Sequence, residues 1–568
     1  MARKKRKIAV IDAETDPFER GIYPEPFIFG FYDGETYEEF TDPSALVEFL
    51  SAQDLIVYGH NAGKFDYFFL LPYLEAFSEI MIINGRLSRF KIGDCEFRDS
   101  YNILPIAMAQ YQKMSFDYSV LHKDKRNLPG NMERIKKYLY SDCVNQFDLV
   151  SKFIERFGMN LTLAGAAMKT WAKMTGNTPP RSSPQFYDNF HPFYYGGRVE
   201  AFRPGYYDCR FKLVDINSAY PWAMLKKHPF SVTYSFVDCS LETLLTDYET
   251  DLINPSFFVV SAISNGAFPY RGDDKTLTFP NDNTRRVYFV TGWELLAAVE
   301  TKTAHGIELK GGYIFDEFID FSDYITPFYE ERKTARENGD KAGDIFSKLF
   351  MNTLYGKWAS NPASYGNYVI APHEYGQMIH NGIDYDALSE DDRGLFGALA
   401  GYELSGELGE WAILRQDLDD EQQRYYNIAT AASITGCVRA HLWRNICKCQ
   451  GVLYCDTDSI AAEEIGDIKI SKELGDWGID GEFIKAAISG KKLYAFRHAP
   501  GTEPRDSEGR AIKWKTASKG VRIGARQLIA VARGREVLYT PESPTYSVHS
   551  GPRFTPRRVR ATAKIGPK

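Results

Sequence analysis

Asp456 and Asp458 stand one residue apart inside an otherwise apolar stretch, with Val452, Leu453 and Tyr454 before them and Ile460 and Ala461 after. Residues two apart on a strand face the same side. An extended chain here brings two carboxylates together between apolar flanks. Like charges held close are destabilising unless a cation sits between them. The segment Gly451–Glu463 therefore reads as two short strands joined by a tight acidic turn. Either the turn is solvated, Asp being a favoured turn residue, or a sheet is built around a divalent ion.

A third carboxylate favours the second reading. Asp215 ends the apolar segment Phe211–Val214, and Ile216, Asn217, Ser218, Ala219, Tyr220 and Pro221 follow it. Three carboxylates on neighbouring strand ends can hold two Mg²⁺ ions roughly 3.5–4 Å apart, the spacing suited to in-line displacement at phosphorus. Carboxylate and triphosphate oxygens are the hard ligands that Mg²⁺ prefers, and Mn²⁺ is an expected substitute. In residues 348–360, Lys348, Asn352 and Tyr355 fall at i, i+4 and i+7 and share one face of a helix. That stripe of cation, amide and ring suits a triphosphate and a base, and Lys333 on a preceding helix is a second candidate phosphate contact. An amphipathic surface helix with an incidental lysine is the alternative.

The front of the chain carries a second acidic set. Asp12 and Glu14 lie two apart after the apolar run 7–12, Asp66 follows in HNAGKFDYFFL, and Asp142 follows in YLYSDCV with Tyr138 at i−4. Four carboxylates and a tyrosine suit a two-metal site that activates water for phosphodiester hydrolysis. For each acid taken singly, a surface charge or helix cap is the alternative.

A chain of 568 residues exceeds one ordinary core, so several domains are expected. Strands at 7–12 and 55–60, an apolar helix at 64–76 and a long amphipathic helix at 132–157 predict an α/β domain up to about Gly176. GNTPPRSSP reads as a linker. Residues 323–358 read as helical, 373–422 as an acidic, loop-like insertion, and the basic tail after about Thr540 as extended or mobile. The net charge of −7 requires a DNA-binding protein to segregate its basic residues into a channel. Both ends hint at such segregation, MARKKRK at the start and Arg553, Arg557, Arg558, Arg560, Lys564 and Lys568 at the finish. The 8 Cys are scattered, which argues against a zinc site or disulfide framework and for a reducing compartment. The sequence has neither a membrane-spanning apolar run nor a signal-peptide core, so a soluble, non-secreted protein is expected.

DINSAYP, KLFMNTLYGK, YCDTDS and GKKLY resemble, in order, the motifs of family B DNA polymerases. DAETD, HNAGKFD and YLYSD resemble the three motifs of their 3′→5′ exonuclease domain. The compact length and the YYGG element at 194–197 resemble the protein-primed phage subgroup, within it the polymerases of tailless, membrane-containing (tectivirus-like) phages. The resemblance implies an α/β and α+β multidomain chain: an RNase H-like exonuclease domain over 1–180, then a right-hand polymerase domain of palm, fingers and thumb. Its segments are a linker and first palm segment (181–230), an insertion and palm (231–330), fingers (331–372), a second insertion (373–425), palm (426–500), and thumb with basic tail (501–568).

It also implies roles. Asp215, Asp456 and Asp458 are polymerase metal ligands. Tyr220 packs under the sugar and excludes a 2′-hydroxyl. Lys348 and Lys333 bind phosphates, and Asn352 and Tyr355 shape the nucleotide pocket. Lys492 and Tyr494 hold the primer terminus, while Tyr194, Gly196 and Gly197 contact template. In front, Asp12, Glu14, Asp66 and Asp142 are metal ligands, Tyr138 orients water, and Lys125 is the catalytic-site lysine. Asn61, Phe65 and Ser100 contact a single strand. Four departures stand out: Tyr101 where the family usually has Leu, Thr353 where Ser is common, an extra residue within HNAGKFD, and a Lys333-to-Lys348 spacing longer than in some relatives. The expected partners are a DNA template and primer, dNTPs, and a terminal protein that supplies the priming hydroxyl and contacts the first insertion. The second insertion is expected to encircle DNA and support strand displacement. A monomer in the cytoplasm of an infected bacterial host is expected. The competing readings are a nuclease whose second half only binds DNA, and a non-catalytic replication scaffold.

Overall fold

The computed structural model describes residues 6–383, 388–506 and 509–562. Lys564, Lys568 and the first five residues of the basic N-terminus lie outside the described residues.

The front unit is built on three parallel strands, Lys7–Thr15, Leu55–Gly59 and Cys95–Asp99, flanked by antiparallel neighbours. Leu55–Gly59 is buried at every position, as expected of a strand covered on both faces. The helix Asn131–Phe157 packs across this sheet through Ile135, Leu139, Cys143 and Leu149. Gly30 admits that helix, because a Cβ there would lie 2.9 Å from Cys143 Sγ.

Three expectations change here. Residues 64–76 form 3₁₀ turns, Ala62–Lys64 and Asp66–Tyr73, and not an α-helix. Pro72 has no N–H to give, and its ring clashes with the i−4 carbonyl of a regular helix. In its described residues the acidic segment 373–422 is built of helices and a hairpin and is not loop-like. The helices His373–Asn381 and Glu390–Ala398 accompany the hairpin Glu403–Leu408/Trp411–Asp417, which extends the front sheet through Gly366–Pro372 to ten strands. Three consecutive apolar residues explain it: Ile413 is buried in the front core, and Ala412 and Leu414 in a second cluster on the other face of the strand. The basic tail also forms short strands, Thr545–Ser547, Gly551–Arg553 and Arg557–Val559. Val548 is buried in the front core, and Tyr546 packs edge-on to Phe65 and Phe68.

The second unit centres on an antiparallel sheet. Its order is Trp514–Ser518, Leu493–His498, Trp477–Gly490, Phe211–Ile216, Ser459–Glu464, Gln450–Asp456 and Val199–Ala201. Val214, Ile216, Cys455 and Ile460 face one core, and Phe211, Leu213, Leu453 and Tyr454 another. The helix Ile428–Ile446 runs through the interior with nearly every residue buried. The antiparallel helices Ser322–Asn338 and Lys341–Trp358 project the 348–358 stripe. Residues 231–330 contribute a four-stranded sheet and the helix Gly292–Thr301, whose N-terminus is closed by a capping box between Thr291 and Glu294.

Candidate active sites

In the second unit, Asp215 pairs with Ser459 one residue before its strand ends, and the Ile216 N–H donates to the Asp458 carbonyl at 2.8 Å. Asp456 and Asp458 do come together with Asp215, though not by strand alternation. Asp456 closes its strand, Thr457 adopts φ +61°, and Asp458 lies in the turn. Ser218 and Lys492 are also left-handed non-glycine residues, at φ +52° and +54°, so each of three motifs carries one. Such residues persist only where the surroundings over-determine them, and they cluster at functional sites.

Lys492 Nζ pairs with Asp456 at 2.9 Å, and the Lys492 N–H donates to the Tyr454 hydroxyl at 2.8 Å. Tyr494 stacks on Phe496 beside Tyr454. Burial, then the charge of Asp458, pushes Asp215 up to about 7. Burial, then Asp456, pushes Asp458 up to about 6, against the pull of Lys492. Tyr220 and Tyr355 stack with ring centroids 4.3 Å apart and 7° between planes, within the field of Asp458. Asn352 donates from Nδ2 to the Lys348 carbonyl at 2.7 Å. Lys348 and Asn352 are exposed on the same helix as Tyr355, and Lys333 is exposed on its antiparallel neighbour.

In the YYGG element, Gly196 is exposed and Tyr194 half-buried. Gly197 lies against the acidic turn, where a Cβ would sit 2.7 Å from the Thr457 side chain.

In the front unit, Asp12, Glu14, Asp66, Tyr138 and Asp142 line one open cleft of about 640 Å³ with Asn61, Phe65 and Lys113. Burial, followed by the charges of Asp66, Asp142 and Glu14, holds Asp12 well above the carboxylate range. Burial pushes Glu14 to about 8, with Asp142 adding, and Asp66 to about 7. Asp142 is raised by burial but steadied by Lys113, whose Nζ lies 3.7 Å away. Tyr138 shares a 2.9 Å hydrogen bond with the Tyr118 hydroxyl. The Asn61 side-chain oxygen accepts from Arg86 at 2.8 Å, and Phe65 packs between Phe18, Phe69 and Tyr546.

Two expected residues are not brought to this cleft. Lys125 is exposed on the short helix Lys123–Arg126, and the lysine beside the carboxylates is Lys113. Lys113 stands in the connection between the second and third front motifs, where sequence spacing is loose. Ser100 is fully buried; its hydroxyl lies 3.0 Å from His60 Nδ1 and bonds the Gly59 carbonyl, so it positions the cleft wall and cannot touch a strand. Arg522, Ser543, Pro544 and Tyr546, from the C-terminal region, also line the cleft. No motif announces them, because they arrive only through the docking of the tail.

Both acidic sets fit divalent ions: hard oxygen donors, buried, with mutual repulsion that a cation relieves. Among the described residues no three His, Cys, Asp or Glu side chains close on one point as a finished cage. Mg²⁺ characteristically keeps water and substrate oxygens in its shell, so a partial protein ligand set suits it. A stability consequence follows. With its pKa raised from 3.8 to about 7, Asp66 contributes stability below its unfolded value that is lost as pH rises through about 7. In chelating buffer, Asp66→Asn is therefore expected to melt above the parent by a margin that widens from about pH 5 to pH 8. Thermal melts across that range check it, and a shrinking margin would contradict it.

The sequence model of the family described as DNA polymerase type B, organellar and viral, matches residues 108–395, just over half of the chain. The DNA-directed DNA polymerase of Enterobacteria phage PRD1 is 32% identical, with 99% of each chain covered. A probable DNA polymerase of Agaricus bitorquis is 22% identical over 78% of this chain and 64% of its own length. Phi29 DNA polymerase complexed with primer-template DNA superimposes with a TM-score of 0.71 at 16% identity, over 98% of this chain and all of that one. The fold is thus the expected one, an exonuclease-type domain followed by palm, fingers and thumb. The chain belongs to the type B DNA polymerases of organellar and viral kind, in their protein-primed group, and is a DNA-directed DNA polymerase.

Proposed function

We propose that the chain extends a primer at the Asp215/Asp456/Asp458 site, removes misplaced 3′ ends at the Asp12/Glu14/Asp66/Asp142 site, and starts synthesis on a protein hydroxyl. The observation that carries this reading is the existence of two separate buried carboxylate groups. One is flanked by Lys492 and the Tyr220–Tyr355 stack, the other by Tyr138 and Lys113. Polymerases of this family use divalent metal ions. Asp215 and Asp458, with Asp456 beside them, would hold them for synthesis, and the four front acids would hold them for hydrolysis. Such ions, when bound, activate the attacking oxygen and neutralise charge on the phosphates.

The chain's own residues do the rest. Lys492 sets Asp456 and presents its ammonium where the primer end arrives. Tyr220, braced by Tyr355, offers a flat wall under the incoming sugar. Lys348, with Lys333 behind it, supplies positive charge for the triphosphate from the exposed face of its helix, and Asn352 helps shape the pocket. Tyr194, Gly196 and Gly197 lie on the template path between the two units. In the front cleft, Tyr138 orients the attacking water, Lys113 steadies Asp142, and Asn61 and Phe65 receive the single strand. The exonuclease domain spans 1–180 and the polymerase domain 181–568, and the chain acts in the cytoplasm of a phage-infected host. Among the described residues no helix is long and apolar enough to cross a membrane.

Protein priming is supported by membership of the protein-primed group and by the two insertions. Incubation with labelled dNTP, Mg²⁺ and the protein encoded beside this chain is expected to yield a covalent nucleotide–protein adduct that Asp458→Ala abolishes. Robust extension of DNA primers with no adduct under any condition would contradict protein priming while leaving polymerisation intact.

A further inference from the structure

We infer that Arg198 is a positioning residue for nucleotide addition: the insertion locks its side chain so that its main-chain carbonyl holds the Thr457 turn presenting Asp456 and Asp458. The inference rests on the assignment of synthesis to the Asp215/Asp456/Asp458 site.

Arg198 is 1% exposed, so it cannot reach DNA. Its guanidinium lies between two rings, 4.1 Å from the centroid of Phe279 and 4.2 Å from that of Trp443. Nη1 donates to the Gly266 carbonyl at 2.6 Å, and Nε and Nη2 donate to Glu200 Oε2 at 3.0 and 2.5 Å. Both faces and all three nitrogens are thus engaged. A lysine offers neither a planar face to stack on both sides nor a fork to share between a carbonyl and a carboxylate.

The backbone of this locked residue is what the acidic turn leans on. The Thr457 N–H donates to the Arg198 carbonyl at 2.6 Å, and the next pairs are Val199 with Asp456 and Glu200 with Cys455. Thr457 is left-handed at φ +61°, a conformation an L-residue holds only when its surroundings impose it. The Arg198 carbonyl and the bare Gly197 backbone supply that imposition.

Gly266 and Phe279 belong to the insertion, and Trp443 to the central helix. Two further ties join the same stretch of insertion to the site. Arg271 Nη2 donates to the Tyr194 carbonyl at 2.7 Å, and Lys491 Nζ, adjacent to Lys492, donates to the Leu277 carbonyl at 2.6 Å. The insertion is therefore coupled to the geometry of the catalytic turn, whatever else it binds.

The test measures single-nucleotide addition, dNTP KM, primer-template affinity and single-strand degradation for Arg198→Met, Arg198→Lys and Phe279→Leu, with Asp458→Ala as reference. Arg198→Met is expected to lower kcat by about 10- to 100-fold, the scale of a misplaced catalytic group. KM, DNA affinity and degradation should stay at the wild-type level. Arg198→Lys should recover part of the loss, and Phe279→Leu should show a smaller loss confined to kcat. Unchanged kcat in Arg198→Met would overturn the inference, as would parallel loss of synthesis and degradation. If Arg198→Met does not fold, unchanged kcat in Phe279→Leu overturns it instead. Synthesis retained by Asp458→Ala would overturn the underlying site assignment, a distinguishable result.

Discussion

Asp458→Ala is expected to lose templated synthesis by about 10³-fold or more, while degrading single-stranded DNA at the wild-type rate. About 4 kcal/mol of lost transition-state stabilisation corresponds to that factor, the scale on which metal-held charge contributes. Three features make Asp458 the sensitive position. It sits in the turn, tied by its carbonyl to the strand that carries Asp215. Its side chain shares the field of Asp215 and Asp456. Asp456, by contrast, is already paired with Lys492. Removing Asp458 also removes a repulsion, so the variant should fold at least as well as the parent. Lost synthesis accompanied by a lowered melting temperature would point to structural damage and contradict the local explanation.

The double variant Asp12→Ala/Asp66→Ala is expected to show the complementary loss, with degradation down by about 10³-fold or more on the same reasoning and primer extension preserved. The two acids reach one cleft from different elements, Asp12 from the strand Lys7–Thr15 and Asp66 from the 3₁₀ turn after its parallel neighbour. Each is raised chiefly by burial, and Asp12 further by the acids around it, so their substitution relieves strain on the front unit as well as emptying its ligand set. The front acids gather around one sheet and the rear acids around another, so the two sets should fail separately. A double variant that lost both activities would contradict that independence.

Much of this was legible in the residues because local pattern and chemistry coincide there. Apolar runs ending in acids mark the strands that carry Asp12 and Asp215, although the first continues to Thr15 and the second to Ile216, and 3.6-residue periodicity marks Asn131–Phe157 and the 348–358 stripe. The Asp456/Asp458 pair is legible only in part. Strand alternation suggested the pairing, but a left-handed Thr457 produces it, and that conformation depends on the distant Arg198 carbonyl. What stayed hidden depends on long-range docking. Lys113 reaches Asp142 from an irregular connection, and Tyr546 reaches Phe65 from the far end of the chain. The helices and hairpin among the described residues of 373–422 are hidden by a charged surface, since the buried apolar run Ala412–Leu414 is only three residues long. Lys125 and Ser100 show the opposite error, in which motif position suggested chemistry that burial and placement do not support.

Synthesis and degradation are assigned to two separable acidic sites. One 5′-labelled primer-template, incubated with Mg²⁺ with and without dNTPs, tests this assignment most directly in wild type, Asp458→Ala and Asp12→Ala/Asp66→Ala. Asp458→Ala should only shorten the primer, and Asp12→Ala/Asp66→Ala should only lengthen it. Extension by Asp458→Ala at the wild-type rate would contradict the assignment.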